Sequence, residues 1–208
     1  MTHLNHSQSL SEGGRPLVTE SVVQSGDTIL PVQIGLAEDV RRQSVLALNH
    51  VLAHALALRD LYKKNHWQTS GPNFYSLHLL FDKHGREQTK IADALAERVQ
   101  TLGGVALAMP HDVWLESAIA HAPRARESVR HELLRVSSAH ALILSEVRVL
   151  ARAANERGDD GTNDLLVSEV VRTNETQSWF IGEHLLDFDA AESRRNALFN
   201  SDWPVTVS

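Results

Sequence analysis

Residues 64–104 read KNHWQTSGPNFYSLHLLFDKHGREQTKIADALAERVQTLGG, and the punctuation and periodicity of this stretch decide the fold. Ser70, Gly71, Pro72 and Asn73 interrupt whatever precedes them, because glycine loosens the backbone and proline cannot continue a helix. A helix-forming run then extends from about Asn73 to Leu102. Gly103-Gly104 closes it, glycine being the residue that accepts the left-handed turn after a helix. Upstream, Leu36 to Asn65 contains no Gly or Pro and distributes Leu46, Leu48, Val51, Leu52, Leu56, Leu58 and Leu61 over several faces. That is the pattern of a helix buried on more than one side.

Downstream, a linker through Pro110 carries a short amphipathic piece around Val113 to Ile119. Pro123 precedes a third long helix, Arg124 to Glu156, and Arg157-Gly158-Asp159-Asp160-Gly161 breaks it before a fourth, Asn163 to Asp187. No segment sustains strand alternation. The expected class is all-α, a four-helix bundle with a short helix in the linker between the second and third helices. Residues 1–35, rich in Ser, Gly, Thr and Gln, read as a flexible tail, 36–187 as the bundle and 188–208 as a C-terminal tail containing Trp203 and Pro204.

Composition removes several function classes. The chain has 208 residues, 42% hydrophobic and 22% charged, enough for a sizeable core. It has no Cys, which excludes disulfide scaffolds, thiolate zinc, iron–sulfur clusters and cysteine nucleophiles. No apolar run reaches the roughly 18 residues of a membrane span, and no basic-then-apolar leader opens the sequence, so a cytoplasmic location is expected. The net charge is −6, and the four lysines, Lys63, Lys64, Lys83 and Lys90, all fall within the helical region. Arg15 is outweighed by Glu12, Glu20 and Asp27, and Arg194 and Arg195 by Asp189, Glu192 and Asp202. Neither end is a cationic arm, so DNA binding is expected to be weak or absent.

Histidine is abundant, at 12 residues. No Glu is followed by His three positions later, so the usual carboxylate site inside a bundle is not expected. The second helix offers another arrangement. His78 and Asp82 are one turn apart, as are Asp93 and Glu97. At about 100° per residue, Asp82, Asp93 and Glu97 lie roughly 40°, 60° and 100° from His78, on one face, while His78 and Glu97 stand roughly 28 Å apart along the axis. Two copies packed antiparallel about a two-fold near Glu87 or Gln88 would bring His78 and Asp82 of one beside Asp93 and Glu97 of the other, making two identical sites. His66 reaches the same end across the short turn. The mixed nitrogen and oxygen set suits iron, manganese or zinc. His50 and His54, also one turn apart, form a separate pair able to chelate a metal. His3 and His6 sit in the tail. His84, His111, His121, His131 and His140 read as surface or structural residues.

The run Lys64-Asn65-His66-Trp67, followed by Gly71-Pro72-Asn73-Phe74, Ser76-Leu77-His78, Leu80-Phe81-Asp82, Asp93-Ala94-Leu95-Ala96-Glu97-Arg98 and Leu102-Gly103-Gly104, resembles the Dps family of mini-ferritins, the DNA-binding proteins from starved cells. The resemblance covers residues 36–187. It implies a ferritin-like bundle, a homo-oligomer of two-fold dimers closing into a hollow dodecamer, and a ferroxidase that oxidises Fe(II) with hydrogen peroxide or oxygen and stores ferric mineral, protecting against oxidative stress. By motif position it implies His66, His78 and Asp82 of one subunit and Asp93 and Glu97 of its partner as iron ligands, with Trp67 beside them. It further suggests His184 as an extra metal ligand and Asp159, Asp160 and Asp164 as carboxylates lining a pore. Gly85 departs from the large residue many family members carry, inside the second helix and near the inferred two-fold, and close approach or room for another side chain would account for it. Two other readings stay open: a DNA-compacting structural protein, and a helical oligomer holding zinc at the same site with little oxidation.

Overall fold

The computed structural model describes residues 22–200. His3 and His6, most of the expected N-terminal tail, Trp203 and Pro204 lie outside the described residues. Residues 22–35 contain neither helix nor strand. The helices are α1 (Glu38–Gln68), α2 (Phe74–Thr101), α3 (Pro110–Glu116), α4 (Val129–Glu156), α5 (Asp160–Leu165) and α6 (Arg172–Asn200), with one π-helical turn, Leu166–Val171, joining α5 to α6 without a break. Two antiparallel pairs, α1 with α2 and α4 with α6, make the bundle, and α3 lies in the crossover against α1. Among the described residues there is no strand.

The ends of the helices show why the sequence folds this way. After α2, the Gly103 N–H donates to Gln100 O at 2.9 Å and the Gly104 N–H to Val99 O at 3.0 Å. This paired closure needs a left-handed residue in between, and Gly103 supplies it with φ +83°. A side chain there would also strike Leu30 O, so the position admits only glycine. Three expected boundaries are corrected. Helix α4 begins at Val129 rather than Arg124, because Ser128 caps it by accepting from the His131 N–H. The last helical segment begins at Asp160 rather than Asn163, because Asp159 caps it. It runs to Asn200, so residues 188–200 are helix and not tail.

Leu48, Leu58, Leu77, Leu95, Leu102, Leu133 and Phe81 are fully buried in one continuous core. The middle of the bundle is polar instead. His140 Nδ1 lies 2.9 Å from Asn174 Oδ1, and its Nε2 lies 2.6 Å from the Tyr62 hydroxyl, which in turn lies 3.2 Å from His84 Nδ1. Asn174 Oδ1 only accepts, so His140 donates from Nδ1, accepts the Tyr62 O–H at Nε2, and leaves the Tyr62 oxygen to accept from His84. Gln88 Nε2 donates to both Asn174 Oδ1 and Gln177 Oε1. The wider π turn re-phases the last helix, and the inward side chains that follow it are Asn174 and Gln177, both buried. Burial pushes His84 and His140 down to about 4, so both are neutral near pH 7. The bundle centre is thus closed by neutral hydrogen-bonding groups, in keeping with the missing Glu-to-His spacing.

Gly85 makes its close approach within the subunit. It is buried against α1 of its own chain, where an added Cβ would meet Tyr62 Cβ at 3.5 Å and Lys63 Cδ at 3.7 Å. These are ordinary contacts, so Gly85→Ala is expected to stabilise the subunit by roughly 0.5–1 kcal/mol through helix propensity. A shift of the denaturation midpoint to higher urea would show this; a shift to lower urea would mean that α1 cannot accommodate the methyl group.

Candidate metal centre

The short turn between α1 and α2 sets two imidazoles face to face. His66, in the last turn of α1, and His78, in the second turn of α2, stack with ring centroids 3.8 Å apart and planes 21° from parallel. His66 Nδ1 lies 2.8 Å from His78 O, and His78 Nδ1 lies 2.8 Å from His66 O. A carbonyl oxygen only accepts, so each ring carries its proton on Nδ1 and donates it to the other residue's main chain. Both Nε2 atoms are left as bare lone pairs. A backbone-anchored Nδ1–H is the usual way a protein orients a metal-binding imidazole and raises its basicity.

One turn along α2, Asp82 lies beside this pair. Lys63 Nζ reaches its Oδ1 at 3.0 Å and Arg86 its Oδ2 at 2.9 Å. The Lys63 hydrogen bond, followed by the charges of Arg86 and Lys63, holds the Asp82 carboxyl below the usual carboxylate range. The sequence contained no sign of Lys63 or Arg86 in this role. They are cations paired with the carboxylate.

Asp93 and Glu97 sit about three and four helical turns beyond Asp82, exposed on α2 and outside the reach of the His66/His78 end within one chain. A groove of about 520 Å³ opens beside Asp93, lined by Leu52, Leu56, Ala92, Ala96 and Leu107. At the other end of α2, Trp67 is 69% exposed and Tyr75 72%, with Phe74 and Leu79 exposed beside them. One end of the helix therefore presents nitrogen donors ringed by exposed apolar side chains. The other presents carboxylates beside an apolar recess.

The remaining expectations divide. Asp159 departs from a pore-lining position: it is buried, caps α5 through the Thr162 N–H at 3.1 Å, and is ion-paired with Arg98 at 2.5 Å. Burial alone would raise this carboxyl, but hydrogen bonds from Ser44 and Thr162 and the Arg98 charge outweigh it and hold it low. Asp160 and Asp164 are exposed, and Asp164 accepts from Ser168 at 2.8 Å. His184, half-buried on α6, is within electrostatic reach of His84 and makes no hydrogen bond to His66 or His78. His84 and His140 are structural members of the buried network, while His111, His121 and His131 are exposed.

Comparison with known proteins follows the same lines. The model of the ferritin-like domain matches residues 45–191. The DNA protection during starvation protein of Halobacterium salinarum is 30% identical over 151 residues, covering 73% of this chain and 82% of that protein. Among solved structures, DpsC from Streptomyces coelicolor is 49% identical with a TM-score of 0.78, covering 79% of this chain and 95% of that one. Dps from Thermosynechococcus elongatus is 34% identical with a TM-score of 0.67, covering 71% and 92%.

Proposed function

Because the chain belongs to the Dps family of ferritin-like proteins, we propose that it oxidises Fe(II) at sites shared between two-fold-related subunits and stores the ferric product inside a hollow dodecamer. The observation that carries this reading is the reciprocal anchoring of His66 and His78, which leaves two oriented Nε2 atoms at the end of α2 that also carries Asp82. Asp93 and Glu97 of the partner complete the site. The exposed Trp67 and Tyr75 and the apolar recess beside Asp93 supply complementary surfaces for the antiparallel pairing of α2 with its copy.

Iron is the substrate. The histidines hold Fe(II) through nitrogen, and the carboxylates favour Fe(III), since hard oxygen donors gain more from the higher charge. With hydrogen peroxide as oxidant, each of two Fe(II) gives up one electron; the O–O bond breaks as it takes both, and two protons complete two waters. The paired transfer releases no hydroxyl radical, which is the protective part of the function. Asp160 and Asp164 are the carboxylates assigned to drawing cations toward the interior. Among the described residues no helix is long and apolar enough to cross a membrane; a cytoplasmic location is part of the proposed reading. Lys63, Lys64 and Lys83 are engaged with Asp82, Glu127 and Glu87, which supports little direct affinity for DNA.

The test is anaerobic Fe(II) loading followed by hydrogen peroxide, with ferric absorbance as the readout. Asp93→Ala with Glu97→Ala alters two exposed side chains and is expected to slow oxidation at least about 100-fold, the upper end of what the loss of an outer-shell partner costs a metal site. Oxidation at the parent's rate in that variant would defeat the assignment.

A further inference from the structure

The pair His50 and His54 gains a third member that the sequence does not suggest. Glu146 Oε2, from α4, lies 2.9 Å from His50 Nε2 and 2.7 Å from His54 Nε2. The two rings meet edge-on with centroids 4.5 Å apart. One donor atom from each of the three residues falls within 4.8 Å of the others, all within one chain. We infer that His50, His54 and Glu146 form an intrasubunit site for a divalent transition-metal cation of the zinc class, separate from the shared site.

The geometry requires little change. In a tetrahedral site with bonds of about 2.0–2.2 Å, donor atoms stand about 3.4 Å apart, so the imidazole-to-carboxylate distances open by roughly half an ångström as a cation enters. The protons also have somewhere to go. Without metal, the hydrogen bond from His54 Nε2 to the carboxylate requires the proton on Nε2, and Nδ1 accepts from the Ser117 hydroxyl, 3.1 Å away. With metal on Nε2, the proton sits on Nδ1 and the same hydroxyl accepts it. A hydroxyl is the group that serves both tautomers, and it provides the second-shell partner that metal-bound imidazoles ordinarily have.

The charge states agree with this. Burial lowers His54 from its ordinary value despite the Glu146 hydrogen bond, so the ring is neutral and available as a ligand. Burial pushes Glu146 up, but hydrogen bonds from His54 and His50 outweigh it and keep it a carboxylate. Access is one-sided: His54 has no exposed side chain, whereas those of His50 and Glu146 are 37% and 32% exposed. The open side leaves room for water as a fourth ligand. Three protein ligands in a two-nitrogen, one-oxygen set favour Zn(II) over Fe(II) or Mn(II) by the ordinary affinity order. The bound cation would join α1 to α4 and, through Ser117, fasten the residue that ends α3.

The test uses the full-length assembly, stripped of metal, incubated with Zn(II), passed over a desalting column and assayed for bound metal. His78→Ala, Asp82→Ala, Asp93→Ala and Glu97→Ala together leave His66 as the one remaining ligand of the shared site, so zinc retained in that variant reports on the new one; about one zinc per subunit is expected. Adding His50→Ala and Glu146→Gln, both partly exposed positions, is expected to abolish that zinc and the visible bands of the Co(II)-substituted protein. In the otherwise unchanged chain, the same two substitutions should leave peroxide-dependent iron oxidation at the parent's rate. Absence of zinc from the first variant, or its persistence in the second, overturns the proposal. Neither result bears on the ferroxidase reading, which stands or falls on iron oxidation.

Discussion

Subunits carrying His78→Ala with Asp82→Ala, and subunits carrying Asp93→Ala with Glu97→Ala, are each expected to form assemblies without ferroxidase activity; mixed and reassembled at equal ratio, they are expected to regain about a quarter of the parent's activity. The figure follows from how a shared site is divided. In a dimer of the two variants, one of the two sites combines both lesions. The other combines an intact His66/His78/Asp82 half with an intact Asp93/Glu97 half. Random pairing makes about half of the dimers mixed, so about one site in four is whole. A site contained within one subunit gives no recovery, because every subunit carries a lesion. The experiment thus tests the division of ligands, which a single inactive variant cannot. The altered side chains are exposed or half-buried, so assembly itself is expected to survive, and gel filtration of each variant checks this. Recovery absent from a verified mixture would place the whole site elsewhere.

Much of the proposed shared site rests on residues that recur with the helical period. His78, Asp82, Asp93 and Glu97 share one arc of one helix, and their separation along the axis already demanded a second copy. What was not legible are contacts between residues remote in sequence. The anchoring of His66 on His78 O depends on how tightly the turn at Gly71 folds α2 back on α1. The Lys63 and Arg86 grip on Asp82 depends on side-chain reach, and Glu146 lies on a different helix from His50 and His54. Asp159 shows the opposite failure: its place in an acidic loop suggested a channel wall, but the competing cap at Thr162 and the Arg98 guanidinium turned it inward. The helix breaks were read correctly from Gly and Pro, whereas the starts of α4 and α5 were set by caps at Ser128 and Asp159 that periodicity does not report.

Acidification is expected to cost the metal-free subunit about 4 kcal/mol between pH 7 and pH 5 from two histidines alone. Burial holds His84 and His140 at about 4 in the folded chain against an ordinary 6.5. Their neutral forms are tied into the Tyr62–Asn174–Gln88 network, and protonating His140 Nε2 would set a donor against the Tyr62 O–H. Between pH 6.5 and about 4 the unfolded chain takes up protons that the folded chain refuses, so stability falls as pH falls. It is fully present above 6.5. Each histidine contributes up to about 1.4 kcal/mol per pH unit in that window. Lys83 and His184 reinforce the shift at His84, and Glu87 opposes it. Urea denaturation of the metal-free protein at the two pH values measures the loss. His140→Gln, which retains an amide able to meet Tyr62 and Asn174, is expected to be less stable at pH 7 but to lose roughly half of the pH dependence. An unchanged slope would show that these rings already protonate in the folded state.

In the shared site proposed above, the reciprocal bonds between His66 and His78 would create two unlike jaws. On one side, two stacked rings have surrendered their rotamer freedom when the chain folded, so no further ordering cost falls on them when a cation arrives. The proposed opposite side is Asp93 and Glu97 of the partner, two side chains exposed on a helix surface and free to swing and to change between one and two contacts. A site built from a rigid jaw and a compliant one captures an ion against the fixed nitrogens and adapts through the oxygens as the ion shrinks and gains charge. In the proposed cycle the seat would stay as it was for the next arrival, and the oxidised ion would depart along the side that can move.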